Sequence, residues 1–171
     1  MNQRRKIILI VSVAAFLIIA LGMNRYYDAD RQLDRGWTGL VESIESRSAF
    51  GVNRLLAPDY TDCWGYDKDS LGKDLWRIFY PFESIGLTPH EVLVVREGDT
   101  ATISAKFTMV STGSGLGADA QNQVNRLTEP FVIQWRRNSG FPWSWKITRI
   151  DQPEFDAKRY QRRRSAAPLG F

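Results

Sequence analysis

The sequence is poor in the residues that build most catalytic and metal centres: it holds one cysteine, Cys63, and one histidine, His90. A lone cysteine has no intrachain partner, so the fold cannot rest on a disulfide framework. Cys63 reads instead as a small buried apolar residue. A lone histidine excludes a multi-histidine metal site and any relay that needs two imidazoles. Phosphate-binding loops are missing too, since Gly65 and Gly72-Lys73 lack both the spacing and the Ser or Thr of a Walker loop. Gly113-Ser114-Gly115-Leu116-Gly117 reads as a flexible loop between antiparallel strands that opens no helix for a phosphate. Asp62, Asp67 and Asp69 lack the spacing and the distant Glu of a calcium loop. The sequence therefore implies no cofactor and no metal.

The chain does have one long apolar run, Ile7 to Met23, behind the basic cluster Arg4-Arg5-Lys6. As a helix it spans roughly 25 Å at about 1.5 Å per residue, slightly short of a ~30 Å hydrocarbon core. Lys6 and Arg25 can reach outward to the headgroups, and Tyr26-Tyr27 favour the interface. A cleaved signal peptide is the rival reading, with Ala20-Leu21-Gly22 as a weak cleavage site. The run exceeds the usual ~7–15 residues of a signal-peptide core, which favours a retained anchor. The dense positive cluster ahead of it predicts a cytoplasmic N terminus (residues 1–6), a span over 7–23 and a domain outside the cytoplasm, on the periplasmic or extracellular side of the cell membrane.

The formal charge of +4 is not a property of that domain. Without the three N-terminal basic residues and Lys158, Arg159, Arg162, Arg163 and Arg164, 15 basic residues face 19 acidic ones, about −4. A folded nucleic-acid-binding surface has the opposite sign, so no nucleic acid is expected as partner. The region from Asp156 to Phe171 reads as a disordered basic tail, fit for anionic lipid headgroups, for an acidic partner, or for solubility alone.

Between these ends the periodicity changes once. Leu33, Trp37, Leu40, Val41 and Ile44 predict an amphipathic helix over Asp28 to Arg47, and Ala49 to Leu56 a shorter one ended by Pro58. Asp59 to Gly65 reads as a turn entering a short strand or loop. Asp69 or Ser70 would cap a third helix with Leu71, Leu75, Ile78, Phe79 and Phe82 on one stripe, kinked or ended early at Pro81. Strands follow over Glu91 to Arg96, over Ala101 to Met109 with Ala101, Ile103, Ala105, Phe107 and Met109 on one face, over the Phe131, Ile133 and Trp135 alternation, and from Trp145. Thr112 to Arg126 reads as a long mobile loop. Helices first and antiparallel strands afterwards predict an α+β fold, with helices packed on one curved antiparallel sheet.

Three local pieces, Leu56-Ala57-Pro58-Asp59-Tyr60, Gly98-Asp99-Thr100-Ala101-Thr102-Ile103 and Trp145-Lys146-Ile147-Thr148-Arg149-Ile150, appear in that order over 28–153. In this the chain resembles the nuclear transport factor 2-like superfamily, which includes SnoaL-like and ketosteroid-isomerase-like proteins. The resemblance implies a cone around a pocket and dimerisation through the sheet. It implies either an enzyme or a binding or assembly module, since fold does not choose between them. The inner-membrane assembly subunits of type IV secretion join an N-terminal span to the same fold, which makes them an analogy for this chain.

In the isomerase-like members a Tyr donor and an Asp base work inside the cone. Asp59, Tyr60, Asp62 and Tyr66 fall near that part of the fold but do not match the enzyme motif, so no catalytic role is carried over. The bland reading makes these acids turn and cap residues, with Tyr60 in the core. His90 reads as a strand-end histidine or as a base at the cone mouth. The weak candidates for a ligand pocket are Tyr60, Trp64, Tyr66, Trp76, Phe79, His90 and Trp135, because concave pockets are commonly lined by aromatic groups. Core packing explains most of them equally well. Trp143, beside Phe141-Pro142 in a turn, would mark a partner or membrane surface if exposed. The expected role is a membrane-anchored binding or assembly module, and the competing one an isomerase- or hydratase-like enzyme working in the cone.

Overall fold

The computed structural model describes residues 28–139, 141 and 144–157. The predicted span, its basic leader, Trp143 and the basic run from Lys158 lie outside the described residues. Among the described residues no helix is long and apolar enough to cross a membrane.

Helix α1 (Ala29–Glu45) starts where Asp28 caps it, its carboxylate accepting from the Asp30 and Arg31 amides at 3.0 Å each. It buries Leu33 and Leu40, with Trp37 and Ile44 half-buried alongside. Helix α2 (Ala49–Leu55) is capped by Ser48. It runs straight into β1 (Leu56–Asp62), so the turn expected from Asp59 is a strand. Pro58 fits there because β1 is a sheet edge, where a missing N–H costs no ladder bond. Helix α3 (Lys68–Phe79) is capped by Asp67, not by Asp69 or Ser70. Ser70 closes a capping box with it, its amide donating to Asp67 Oδ1 at 2.8 Å. The helix stops before Pro81, and Phe82 opens the next strand.

That strand, β2 (Phe82–Glu97), is far longer than the predicted Glu91–Arg96 piece. It passes through Pro89 because β2 is the other sheet edge. A bulge between His90 and Leu93 puts Glu91 at a φ of 51° and bends the strand. Strands β3 (Thr100–Gly113), β4 (Phe131–Arg137) and β5 (Trp145–Asp151) complete a five-stranded sheet in the order β1-β5-β4-β3-β2. The β1–β5 pair is parallel and the rest antiparallel, so the curved sheet is mixed and not antiparallel throughout.

The expected loop over Thr112 to Arg126 contains a helix, α4 (Gly115–Val124), and, against expectation, the glycine-rich stretch opens it. Strand β4 pairs β3 only between Thr100 and Ala105, leaving the far half of β3 with a free edge. Residues on α4 and just after it fill that edge. The Asn125 side chain accepts from the Met109 amide at 2.7 Å and donates to its carbonyl at 2.9 Å, while Gln121 Oε1 accepts from the Ser111 amide at 2.6 Å. Side-chain amides thus stand in for a neighbouring strand.

The concave face of the sheet and the helices enclose one core. Its largest members are Trp135, Trp145 and Tyr60, each 1–2 % exposed. Gly36 of α1 lets the Trp135 ring lie against the helix, since a Cβ there would meet the ring at 3.2 Å.

Candidate functional site

The seven predicted pocket residues do not converge. Tyr60, Phe79 and Trp135 are buried in the core. Trp76 points outward from α3, with the Arg77 guanidinium 5.1 Å from its ring centre. Trp64 and Tyr66 sit in the turn after β1, where the Trp64 indole donates to the Phe155 carbonyl at 2.8 Å. His90 borders an open cavity on the sheet.

The acids near Tyr60 are structural in their contacts. Asp62 is buried and accepts three bonds: Oδ1 from the Trp64 and Tyr66 amides at 2.9 Å each, and Oδ2 from the Tyr60 hydroxyl at 3.1 Å. Burial, reinforced by the Asp62 charge, pushes the Tyr60 phenol far above its ordinary value, so it stays protonated and donating. Asp59 lies outside, paired with Arg136 at 2.7 Å, and that guanidinium holds its carboxyl below the usual range. Cys63 is exposed, not buried, because it follows β1 on a turn; its Sγ accepts from the Gln152 amide at 3.4 Å.

An open notch of about 290 Å³ lies where β4 begins and α4 ends. Phe107, Phe131, Val124 and Leu127 supply apolar wall, and His90, Lys106, Thr108, Asn125 and Glu129 supply polar rim. Lys106 is already engaged, its ammonium 2.9 Å from the Glu91 carboxylate. A row of rings leads inward and along the cone: Trp37 to Phe107 at 5.8 Å, Phe107 to Phe131 at 5.6 Å, Phe131 to Phe155 at 6.3 Å and Phe155 to Trp64 at 5.8 Å. Such a notch can seat an apolar group on aromatic wall beneath a polar rim. Among the described residues no cluster of His, Cys, Asp and Glu is arranged to hold a metal ion.

Sequence reasoning found His90 and the inward face of Phe107 and Phe131, but not the notch. The notch exists because β4 starts late against β3 and a helix covers the remainder. Alternation along a single strand carries no signal of that offset.

An α+β cone of this order, with four helices on a curved mixed sheet, has counterparts among solved structures. The fold is that of the nuclear transport factor 2-like proteins. A candidate dehydratase of that family from Streptomyces avermitilis superposes with a TM-score of 0.53 at 16 % identity, covering 71 % of this chain and 92 % of that one. A nuclear transport factor 2-like protein from Cytophaga hutchinsonii gives 0.53 at 11 %, covering 72 % and 96 %. One of unknown function from Pseudomonas putida gives 0.54 at 13 %, covering 77 % and 91 %. At these identities the likeness establishes fold alone. No family model and no curated protein matches the sequence.

Proposed function

We propose that this chain is a membrane-anchored, extracytoplasmic binding or assembly module of nuclear transport factor 2-like fold, and not a catalyst. The observation that carries this reading is the filled cone. Trp135, Trp145 and Tyr60 fill the core between the sheet and the helices, and the buried carboxylate Asp62 is spent on three structural hydrogen bonds. A general base needs a carboxylate free to reach a substrate proton. The run Ile7–Met23 behind Arg4-Arg5-Lys6 supports the anchor and its orientation.

Self-assembly through the sheet is supported by its outer face. Leu93 and Val95 project there side by side from β2 and are 61 % and 50 % exposed, an apolar surface of the kind that marks an interface. For the basic tail, Lys158, Arg159, Arg162, Arg163 and Arg164 put five positive charges within seven residues, which supports attraction to an acidic partner.

The mass of the full chain in lipid nanodiscs tests the assembly reading. A dimer that Leu93→Lys with Val95→Lys converts to monomer is expected, and a wild-type monomer would sink it. Alkaline extraction of membranes tests the anchor, and release of the intact chain would refute it.

A second reading, an isomerase- or hydratase-like enzyme, is favoured by His90 at the notch rim and by the dehydratase description of the Streptomyces avermitilis neighbour. Of the lining residues His90 is the one imidazole and Glu129 the one carboxylate. Small-molecule thermal stabilisation that vanishes in His90→Ala while assembly survives would move the balance to this enzyme.

A further inference from the structure

Several elements meet at one end of the sheet, and that end is where the anchor would deliver the domain. Four residues, 24–27, separate the apolar run from the Asp28 cap, and fully extended they reach about 14 Å. On the anchored reading above, the start of α1 is therefore held at the headgroups. Both hairpin tips flank that start. The Arg96 guanidinium, just before the β2–β3 turn, bonds the Asp30 carboxylate of the first helical turn. The Trp145 indole, first residue of β5, donates to the Ala29 carbonyl at 3.1 Å. The two tips are tied to each other as well, the Arg137 amide donating to the Asp99 carbonyl at 2.7 Å.

The tips differ in chemistry. The β2–β3 tip is Gly98-Asp99, short and polar. The β4–β5 connection carries Phe141, 56 % exposed, and the sequence continues with Pro142 and Trp143. Its backbone is closed by the Asn138 amide on the Ser144 carbonyl at 3.1 Å and the Ser144 amide on the Phe141 carbonyl at 3.0 Å. A large ring on a closed turn loses little entropy when it enters another phase, and aromatic rings favour the headgroup layer.

We propose that the β4–β5 turn docks on the bilayer surface beside the anchor, seating Phe141 among the headgroups. This rests on the anchored reading and fixes how the domain stands. With the turns down, the notch at the far side of the β3–β4 pairing opens away from the membrane. The occupant is a lipid surface engaged by rings and not by charge. Among the described residues at this end, Asp28, Asp30, Glu97 and Asp99 equal Arg31, Arg96, Arg137 and Lys146 in number, so the described surface carries no net charge to attract anionic lipid.

The test uses the full chain reconstituted in phosphatidylcholine vesicles on a Cys63→Ser background. An environment-sensitive fluorophore is placed at Phe141→Cys, at Ser139→Cys as a second site should the first disturb the turn, and at Asn122→Cys on α4 as the distant control. Brominated lipids should quench the turn labels at least about threefold more than the Asn122→Cys label, as expected for rings at the acyl boundary. Quenching should persist at about 0.5 M salt, where the screening length is only roughly 4 Å. Turn labels no better quenched than the control, in chains that still float with the vesicles, overturn the docking and leave the anchor standing. Loss of the quenching in salt overturns the ring-driven account. Chains that fail to float refute the anchored reading, and the docking falls with it.

Discussion

Replacing Gly113 by Ala should unfold this domain more readily than any other single methyl added at a turn glycine. Gly113 closes β3 at a φ of 138°, a region essentially reserved for glycine, which costs another residue roughly 1–3 kcal/mol. Space is the second term. A Cβ built there would stand 2.1 Å from the Pro81 carbonyl oxygen and 2.9 Å from the Phe82 Cα, so the backbone entering β2 must move. That backbone is not free to do so. Phe82 pairs with Gly113 in the ladder and packs in the core, and the Pro81 carbonyl accepts from the Ser114 amide at 2.8 Å. Overpacking of this kind adds about 1–3 kcal/mol, giving about 2–6 kcal/mol together. Gly98→Ala is the control: its φ is 61° but nothing lies within 4 Å, so only the left-handed cost of roughly 1 kcal/mol applies. Urea unfolding of the full chain in mild detergent, followed by the emission of the buried tryptophans, measures both from the midpoint at constant slope. A Gly113→Ala cost within about 1 kcal/mol of the Gly98→Ala cost would refute the steric argument.

Asp62→Ala strands three donors and should cost about 2–4 kcal/mol, with Asp62→Asn recovering part of it; equal stability of the Ala variant and wild type would show that the turn does not depend on the carboxylate. Asn125→Ala should speed hydrogen exchange at the Met109 amide, and Gln121→Ala at the Ser111 amide, by up to about tenfold each, and unchanged rates would mean that α4 does not hold the β3 edge. The Asp59–Arg136 pair sets a sign for acid behaviour. Arg136 depresses the folded-state carboxyl, so its contribution is fully present above the unfolded value of about 3.9 and is lost as pH falls through the depressed one. Both partners are solvent-exposed, so the effect is small, and Arg136→Gln should return the Asp59 carboxyl titration to the ordinary range. An ordinary Asp59 titration in the wild type would exclude the pairing in solution.

Much of the fold was legible because local chemistry and tertiary structure agreed. The 3.6-residue stripe of α1 and the two-residue alternation of β3, β4 and β5 bury the residues that patterning picks out, among them Leu33, Ile103, Ile133 and Ile147. The misreadings fall where a distant partner overrides local preference. Helix α4 has little amphipathic pattern and two glycines, and its Gln121, together with Asn125 just after it, finds its use only at the uncovered edge of β3. Strand β2 tolerates Pro89 because it is a sheet edge, and a position within the sheet is invisible in sequence. Cys63 looks buried by residue type and is exposed by its turn.

By itself the sequence determined the scarcity of ligating residues, the apolar run at its start, the charge balance of the body and the change from helical to strand periodicity. These depend only on residue identity and spacing, so they survive without coordinates. The tertiary structure alone decided which aromatics fill the cone and which stand outside it. It also set the parallel β1–β5 pair, the notch between β4 and α4, and the meeting of Trp145 with the start of α1. Each is a meeting of residues up to more than a hundred positions apart, and no local pattern encodes such a contact.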